Sequence, residues 1–186
     1  LRRTGHRIEH LDIGGGLGVP YDSTANDIAP SPDAYAAMVR ETLGGLGLKI
    51  VLEPGRVIVA NAGILVARVI YAKHGRDKTF TVVDAAMNDL IRPTLYEAEH
   101  EIWPVSELAA GAAPVVQDVV GPVCETGDYL ALNRALPPFA AGDLLAFMTA
   151  GAYGAAMSST YNSRLLVPEV LVKGAEYAVV RRRQTL

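Results

Sequence analysis

The sequence predicts an α/β segment followed by an all-β domain: the C-terminal part of a (β/α)8 barrel over residues 1–62, then an antiparallel β-sandwich or barrel over 63–186. Three observations carry this. Residues 8–62 alternate short apolar runs, each ending in a glycine or Pro-Gly loop, with helical periodicity, the grammar of parallel β/α units. From Gly63 onward, short β-like runs follow one another between Gly, Pro, Asn and Asp, with no long helix among them. Half the residues are hydrophobic and 20% are charged, a composition that sustains a packed core.

The elements follow in order. "IEHLDI" (8–13) is apolar-rich and stops abruptly at "GGGLG", as a buried parallel strand does before its loop. Ser31 can cap a helix that Pro32 opens, with Tyr35, Met38, Val39 and Leu43 on one face, and "GGLG" (44–47) ends it. "LKIVLEPG" (48–55) is a second strand stopped by Pro-Gly, and "RVIVANAG" continues as a short helix. Two such units cannot close a sheet, since a (β/α)8 barrel takes about 250 residues. The α/β portion therefore reads as a piece of something larger, in keeping with a first residue that is Leu. The β-like runs are "ILVARVIYAK", "KTFTVVDAA", "HEIWPVS", "APVVQDVVG", "DYLALN", "DLLAFM", "SRLLVPEVLV" and "EYAVVRRR".

Several function classes recede on composition. A net charge of −3 argues against nucleic-acid binding, and Arg181, Arg182 and Arg183 read as a solvated strand end. The longest apolar run contains Arg68 and falls short of the roughly 20 residues of a membrane span. One cysteine allows no internal disulfide, which fits a reducing, cytoplasmic setting. No signal or transit peptide is visible, and the four histidines form no metal-ligand cluster.

Five constellations carry chemistry. Gly14, Gly15 and Gly16 sit at the C-terminal end of a parallel strand, where backbone N–H groups can approach a phosphate; a plain tight turn is the alternative. Glu53, Pro54, Gly55 and Arg56 sit at the same edge after the next strand, either as a second half of that phosphate grip or as a Pro-Gly turn with a salt bridge. Arg92, followed by Pro93 and four residues before Tyr96, suits a bidentate carboxylate contact, or else pairs with Asp89 or Glu97 at the surface. Tyr153 stands among small residues that let a backbone and one ring approach a ligand or partner, or that simply pack as a loop. Cys124 lies in a Gly/Pro-framed turn beside Glu125 and near Asp128. Negative neighbours disfavour a thiolate, so this thiol suits a proton donor better than a nucleophile.

Taken together, "LDIGGGLGVPY", "EPGR", "DAAMNDLIRPTLYEA", "GPVCETGD", "GAYGAAMSSTYNSR" and "VRRRQT" resemble, in order and spacing, the diaminopimelate decarboxylases. These belong to the pyridoxal-phosphate (PLP) enzymes with an alanine-racemase-like barrel and a C-terminal β-domain. The resemblance runs from Leu11 to Thr185, with Glu99 standing where the family would carry an aromatic residue. It implies that the Gly14–Gly16 loop and Glu53–Arg56 hold the PLP phosphate and that Glu53 faces the pyridine nitrogen. It implies further that Arg56, Arg92 and Tyr96 take the substrate's distal carboxylate, that Glu125 takes its distal ammonium, and that Tyr153 touches both cofactor and substrate. Cys124, with Glu125, is implied to cross a homodimer interface and protonate the α-carbon after carbon dioxide leaves. The implied activity is conversion of meso-2,6-diaminopimelate to L-lysine, the last step of lysine biosynthesis, with no metal.

The family holds PLP on a lysine, and none of Lys49, Lys73, Lys78 and Lys173 lies in that lysine's motif. The expectation is a C-terminal portion that is inactive by itself. The alternatives are a sister decarboxylase acting on ornithine, arginine or carboxynorspermidine, a non-catalytic PLP-binding regulator, or a free-standing β-domain.

Overall fold

The computed structural model describes residues 2–22, 29–106 and 112–185. In the N-terminal part, β1 (His10–Asp12) and β2 (Lys49–Val51) pair in parallel, with Leu11 opposite Ile50. Between them runs α1 (Pro32–Leu43), capped as the sequence requires: Ser31 Oγ accepts from the Ala34 N–H at 3.2 Å and Pro32 fills the first turn. Of the apolar face, Val39 is buried and Tyr35 and Leu43 are half-buried, but Met38 is exposed. A two-stranded sheet offers too narrow a floor to cover all four. A single helical turn from Gly44 to Leu46 and a left-handed Gly47 end α1. After β2, α2 (Arg56–Val59) continues as a tight turn through Ala62.

Each of the eight β-like runs becomes a strand. They are β3 (Leu65–His74), β4 (Thr79–Val83), β5 (Ile102–Pro104), β6 (Val115–Val120), β7 (Tyr129–Leu136), β8 (Leu144–Phe147), β9 (Glu169–Lys173) and β10 (Glu176–Arg181). The first six form one sheet in the order β5-β8-β3-β4-β6-β7, while β9 and β10 make a separate hairpin. The sheet is open, with β5 and β7 at its edges, and register shifts in β3 and β6 bend it. Alternation along β3 turns Ala67 and Val69 into the core with Val83, Leu90, Ile102, Val119, Leu130, Leu145 and Phe147, and leaves Val66 and Ile70 outside.

The expectation of a purely antiparallel domain needs correcting. β4 and β6 run parallel, Thr79 opposite Gln117 and Val82 opposite Val120. Parallel neighbours need a long crossover, and the segment between β4 and β6 is that crossover, carrying the helix α3 (Arg92–Tyr96) and β5. Buried polar groups fix the pair: the Thr81 hydroxyl bonds Gln117 Oε1, and Gln117 Nε2 donates to the carbonyls of Leu136 (3.2 Å) and Pro137 (2.9 Å).

Candidate active site

Two loops meet at the C-terminal tips of β1 and β2. Asp12 Oδ1 accepts the Gly14 N–H at 2.8 Å, and the Gly14 carbonyl accepts the Glu53 N–H at 2.8 Å. Gly14 and Gly16 take φ of 70° and 91°, a conformation L-residues rarely adopt. Gly15 lies so close to the second loop that a Cβ there would stand 2.6 Å from the Glu53 carbonyl oxygen. Gly14, Gly15, Gly16, Glu53, Pro54 and Gly55 thus form one backbone surface leading into Arg56. Neither Glu53 nor Arg56 enters an ion pair among the described residues, so the salt-bridged turn does not form.

Arg56 opens α2 and lies 5.6 Å from the centroid of the Tyr153 ring. Arg92 lies 5.9 Å from the same centroid and 4.4 Å from that of Tyr21. Tyr153 arrives between them on a loop that docks against α2 and the turn after it. The Gly151 N–H donates to the Ala60 carbonyl at 3.0 Å, and the Ala150 N–H to the Gly63 carbonyl at 2.8 Å. The small residues serve that approach, since a Cβ on Gly151 would collide with the Val59 carbonyl oxygen. Tyr153 itself holds a φ of 63°, a strained conformation for an aromatic residue that the surrounding contacts must impose.

Arg92 is 7% exposed and enters no ion pair among the described residues. The surface pairing with Asp89 does not form. Asp89 meets Arg164 at 3.5 Å instead, and burial pushes its carboxyl up despite the Ala86 N–H and Arg164. The Arg92 side chain bonds His100: Nη1 lies 3.1 Å from Nε2, while His100 Nδ1 lies 2.8 Å from the Met148 carbonyl. Arginine can only donate, so Nε2 must accept, and the proton of a neutral ring sits on Nδ1 and goes to Met148. Burial pushes His100 below the ordinary imidazole value, the Met148 carbonyl pulls it back, and Arg92 lowers it further. The Tyr21 ring meets His100 edge-on at 5.1 Å, and its buried hydroxyl has no hydrogen-bond partner among the described residues.

Sequence reasoning missed His100 and Tyr21. A histidine without metal-spaced partners reads as structural, and these contacts join α3, the end of β8 and the residues before α1, which no spacing rule connects. The departure at Glu99 acquires a partner too: it pairs with Arg134 at 3.3 Å, and Arg134 also donates to the His100 carbonyl.

Tyr96 ends α3, 61% exposed, and makes no ring contact or hydrogen bond with this cluster among the described residues. Cys124 and Glu125 also stand apart, exposed in the turn between β6 and β7. Glu125 accepts from the Tyr161 hydroxyl and the Gly127 N–H, each at 3.4 Å, and lines an open pocket of about 340 Å3 with Met87, Asn88, Ile91 and Tyr161. No hydrogen bond, ion pair or ring contact joins Cys124 or Glu125 to Arg56, Arg92 or Tyr153 among the described residues. Asp128 anchors this turn: its carboxylate accepts the Met87 N–H at 2.7 Å and the Val123 N–H at 2.6 Å, and the Thr94 hydroxyl bonds the Gly127 carbonyl. The cysteine turn is therefore pinned to the segment that carries Arg92.

Paired glycine loops thus stand at a parallel sheet edge, beside two arginines that share one tyrosine ring, an arrangement whose backbone N–H groups and guanidinium groups are chemically suited to anions. A family model for the pyridoxal-dependent decarboxylase C-terminal sheet domain matches residues 21–151, and the chain belongs to that family. Diaminopimelate decarboxylases of Pseudomonas aeruginosa and Zymomonas mobilis are 53% and 48% identical to it over 186 residues, all of this chain and 43% of each relative. AQ1208 from Aquifex aeolicus superposes with a TM-score of 0.90 at 46% identity, covering 99% of this chain and 45% of that one. The Helicobacter pylori diaminopimelate decarboxylase complexed with L-lysine superposes with a TM-score of 0.85 at 39% identity, covering 99% and 44%. The chain thus spans less than half the length of these relatives.

Proposed function

We propose that this chain is the C-terminal portion of a PLP-dependent enzyme that decarboxylates meso-2,6-diaminopimelate to L-lysine, with residues 1–62 completing a (β/α)8 barrel and the active site shared between two subunits. The observation that carries the reading is Arg92: a buried guanidinium with no carboxylate partner among the described residues, set with Arg56 on one tyrosine ring. Burying an unpaired charge costs several kcal/mol, so such a residue is retained where an anion will meet it. The named relatives support the choice of substrate.

The glycine loops fit the cofactor's phosphate, because the N–H groups of Gly15, Gly16 and Gly55 make no hydrogen bond among the described residues, and a Cβ at Gly15 would force the two loops apart by striking the Glu53 carbonyl oxygen. Gly14, Gly15, Gly16, Pro54, Gly55 and Arg56 would hold that phosphate, and Glu53 the pyridine nitrogen. When bound, PLP supplies an electron sink for the pair released as carbon dioxide leaves. The chain's own residues do the rest. Arg56, Arg92 and Tyr96 bind the distal carboxylate and so reject simple diamines, which would leave the guanidinium groups unpaired. Tyr153 packs against the bound molecule. Glu125 takes the distal ammonium, and Cys124, reaching in from the neighbouring subunit, delivers its Sγ proton to the α-carbon. One S–H bond breaks and one C–H bond forms, leaving a thiolate to be reprotonated by solvent.

The test is a substrate panel on the full-length protein with PLP. Release of lysine from diaminopimelate, with no turnover of ornithine or arginine, is the expected result. Turnover of ornithine or arginine but not diaminopimelate would replace this reading by a sister decarboxylase.

A further inference from the structure

We infer that His100 is the positioning residue of the carboxylate site: as the Nδ1–H tautomer it holds Arg92 in place by a hydrogen bond whose other end is tied to the Met148 backbone. The inference rests on the substrate-binding role proposed for Arg92. A long guanidinium side chain carries much rotamer freedom, and its affinity for a carboxylate depends on how much is already lost before binding. Here three groups confine it: the Tyr21 face, the Tyr153 ring and His100 Nε2. Among the described residues, only His100 fixes it directionally. Its own orientation is set on several sides, by the Met148 carbonyl on Nδ1, the Tyr21 ring against its edge, and Arg134 on its backbone carbonyl. An acceptor on Nε2 consumes one Arg92 donor and adds no charge. A carboxylate in its place would neutralise the arginine and compete with the substrate. The histidine therefore orients without occupying, which an acidic residue cannot do.

The same geometry makes the site acid-sensitive. The charged and titratable groups around His100 are Arg92 on α3, Arg134 on β7, Tyr21, and its neighbours Glu99, which is paired with Arg134, and Glu101. Protonation would place an N–H on Nε2 against the Arg92 N–H, two donors and two cations in contact. The hydrogen bond is then lost and Arg92 displaced. Burial and Arg92 hold His100 below its ordinary value of 6.5, so the neutral, orienting form prevails at neutral pH and is lost only in acid.

The experiment uses the full-length enzyme with PLP and four variants: Arg92→Ala, His100→Leu, His100→Gln and the double variant R92A/H100L. His100→Leu is expected to raise KM for diaminopimelate about ten-fold or more with kcat within about two-fold, the signature of lost substrate binding. His100→Gln, which offers an oxygen near the Nε2 position, should recover most of that loss. In the Arg92→Ala background, His100→Leu should add nothing to KM, because a residue that acts through Arg92 has no target left. An equal effect in both backgrounds, or an unchanged KM in His100→Leu while Arg92→Ala raises it, overturns the role of His100 and leaves that of Arg92 standing. An unchanged KM in Arg92→Ala overturns the binding reading itself. Should His100→Leu fail to fold, the pH profile decides: KM of the unmutated enzyme should rise on acidification, at a pH below the ordinary imidazole value of 6.5, and that of His100→Gln should not. An acid limb common to both, or absent from both, refutes the inference.

Discussion

A guanidinium that is 7% exposed and faces two tyrosine rings and a neutral imidazole is expensive unless an anion completes it. Arg92→Ala in the full-length enzyme should therefore weaken diaminopimelate binding by about 2–5 kcal/mol, read as KM, with folding intact. Cys124→Ala should do the reverse, lowering kcat by about 100-fold or more with little change in KM, since a proton donor acts only in the transition state. A change in KM alone would remove it from that role. Asp89 carries a prediction in pH. Burial raises its carboxyl above the unfolded value of 3.8, so the native state keeps the proton longer than the unfolded chain. Its contribution to stability is thus fullest in acid below 3.8 and is lost as pH rises through the folded value. Asp89→Asn retains an oxygen for the Ala86 N–H. Its urea midpoint, relative to the unmutated protein, should climb between about pH 4 and pH 7; a flat difference would refute this. At this scale the sequence displayed the residues with local signatures, such as Arg92 before a proline and Tyr153 among small residues. It hid His100 and Tyr21, whose roles exist only in the assembled contacts.

Among the elements, strand positions were legible because turn residues punctuate them, and the capped start of α1 because Ser31 and Pro32 spell it out. Strand direction was not legible, since a short apolar run looks the same beside a parallel or an antiparallel neighbour. Hence β4 and β6 defied the antiparallel expectation, and nothing local in "KTFTVVDAA" or "APVVQDVVG" announces the Thr81–Gln117 bond that joins them. Ser31→Ala should cost about 1 kcal/mol, the usual loss for a helix N-cap, measured by denaturant unfolding. Gly151→Ala should be costlier, about 1–3 kcal/mol or more, because its Cβ would force the Tyr153 loop off the turn after α2. It should also weaken substrate binding, since that loop brings Tyr153 to both arginines. A stable, fully active Gly151→Ala variant would contradict the docking described.

For the whole molecule, Cys124 and Glu125 make no hydrogen bond, ion pair or ring contact with the arginine cluster among the described residues, and in the proposed two-subunit site they would serve the neighbouring chain instead. Of the chain's lysines, Lys49 opens β2 at the end opposite Glu53, Lys73 lies in β3, Lys78 is engaged with Asp118 at 2.6 Å, and Lys173 ends β9. The 186 residues alone are accordingly expected to release no lysine from diaminopimelate in the presence of PLP, whereas the full-length protein should; release by the shorter chain would contradict this. The strand order has one more consequence, for the time course of folding. β3 pairs with β8 across the whole detour from β4 to β7, and distant pairings of this kind are expected to slow folding to about milliseconds or seconds. Trp103, the single tryptophan here, faces Ala146 on that late-closing edge. Its fluorescence should lag behind the circular-dichroism signal during refolding, and coincident traces would mean that the detour imposes no delay.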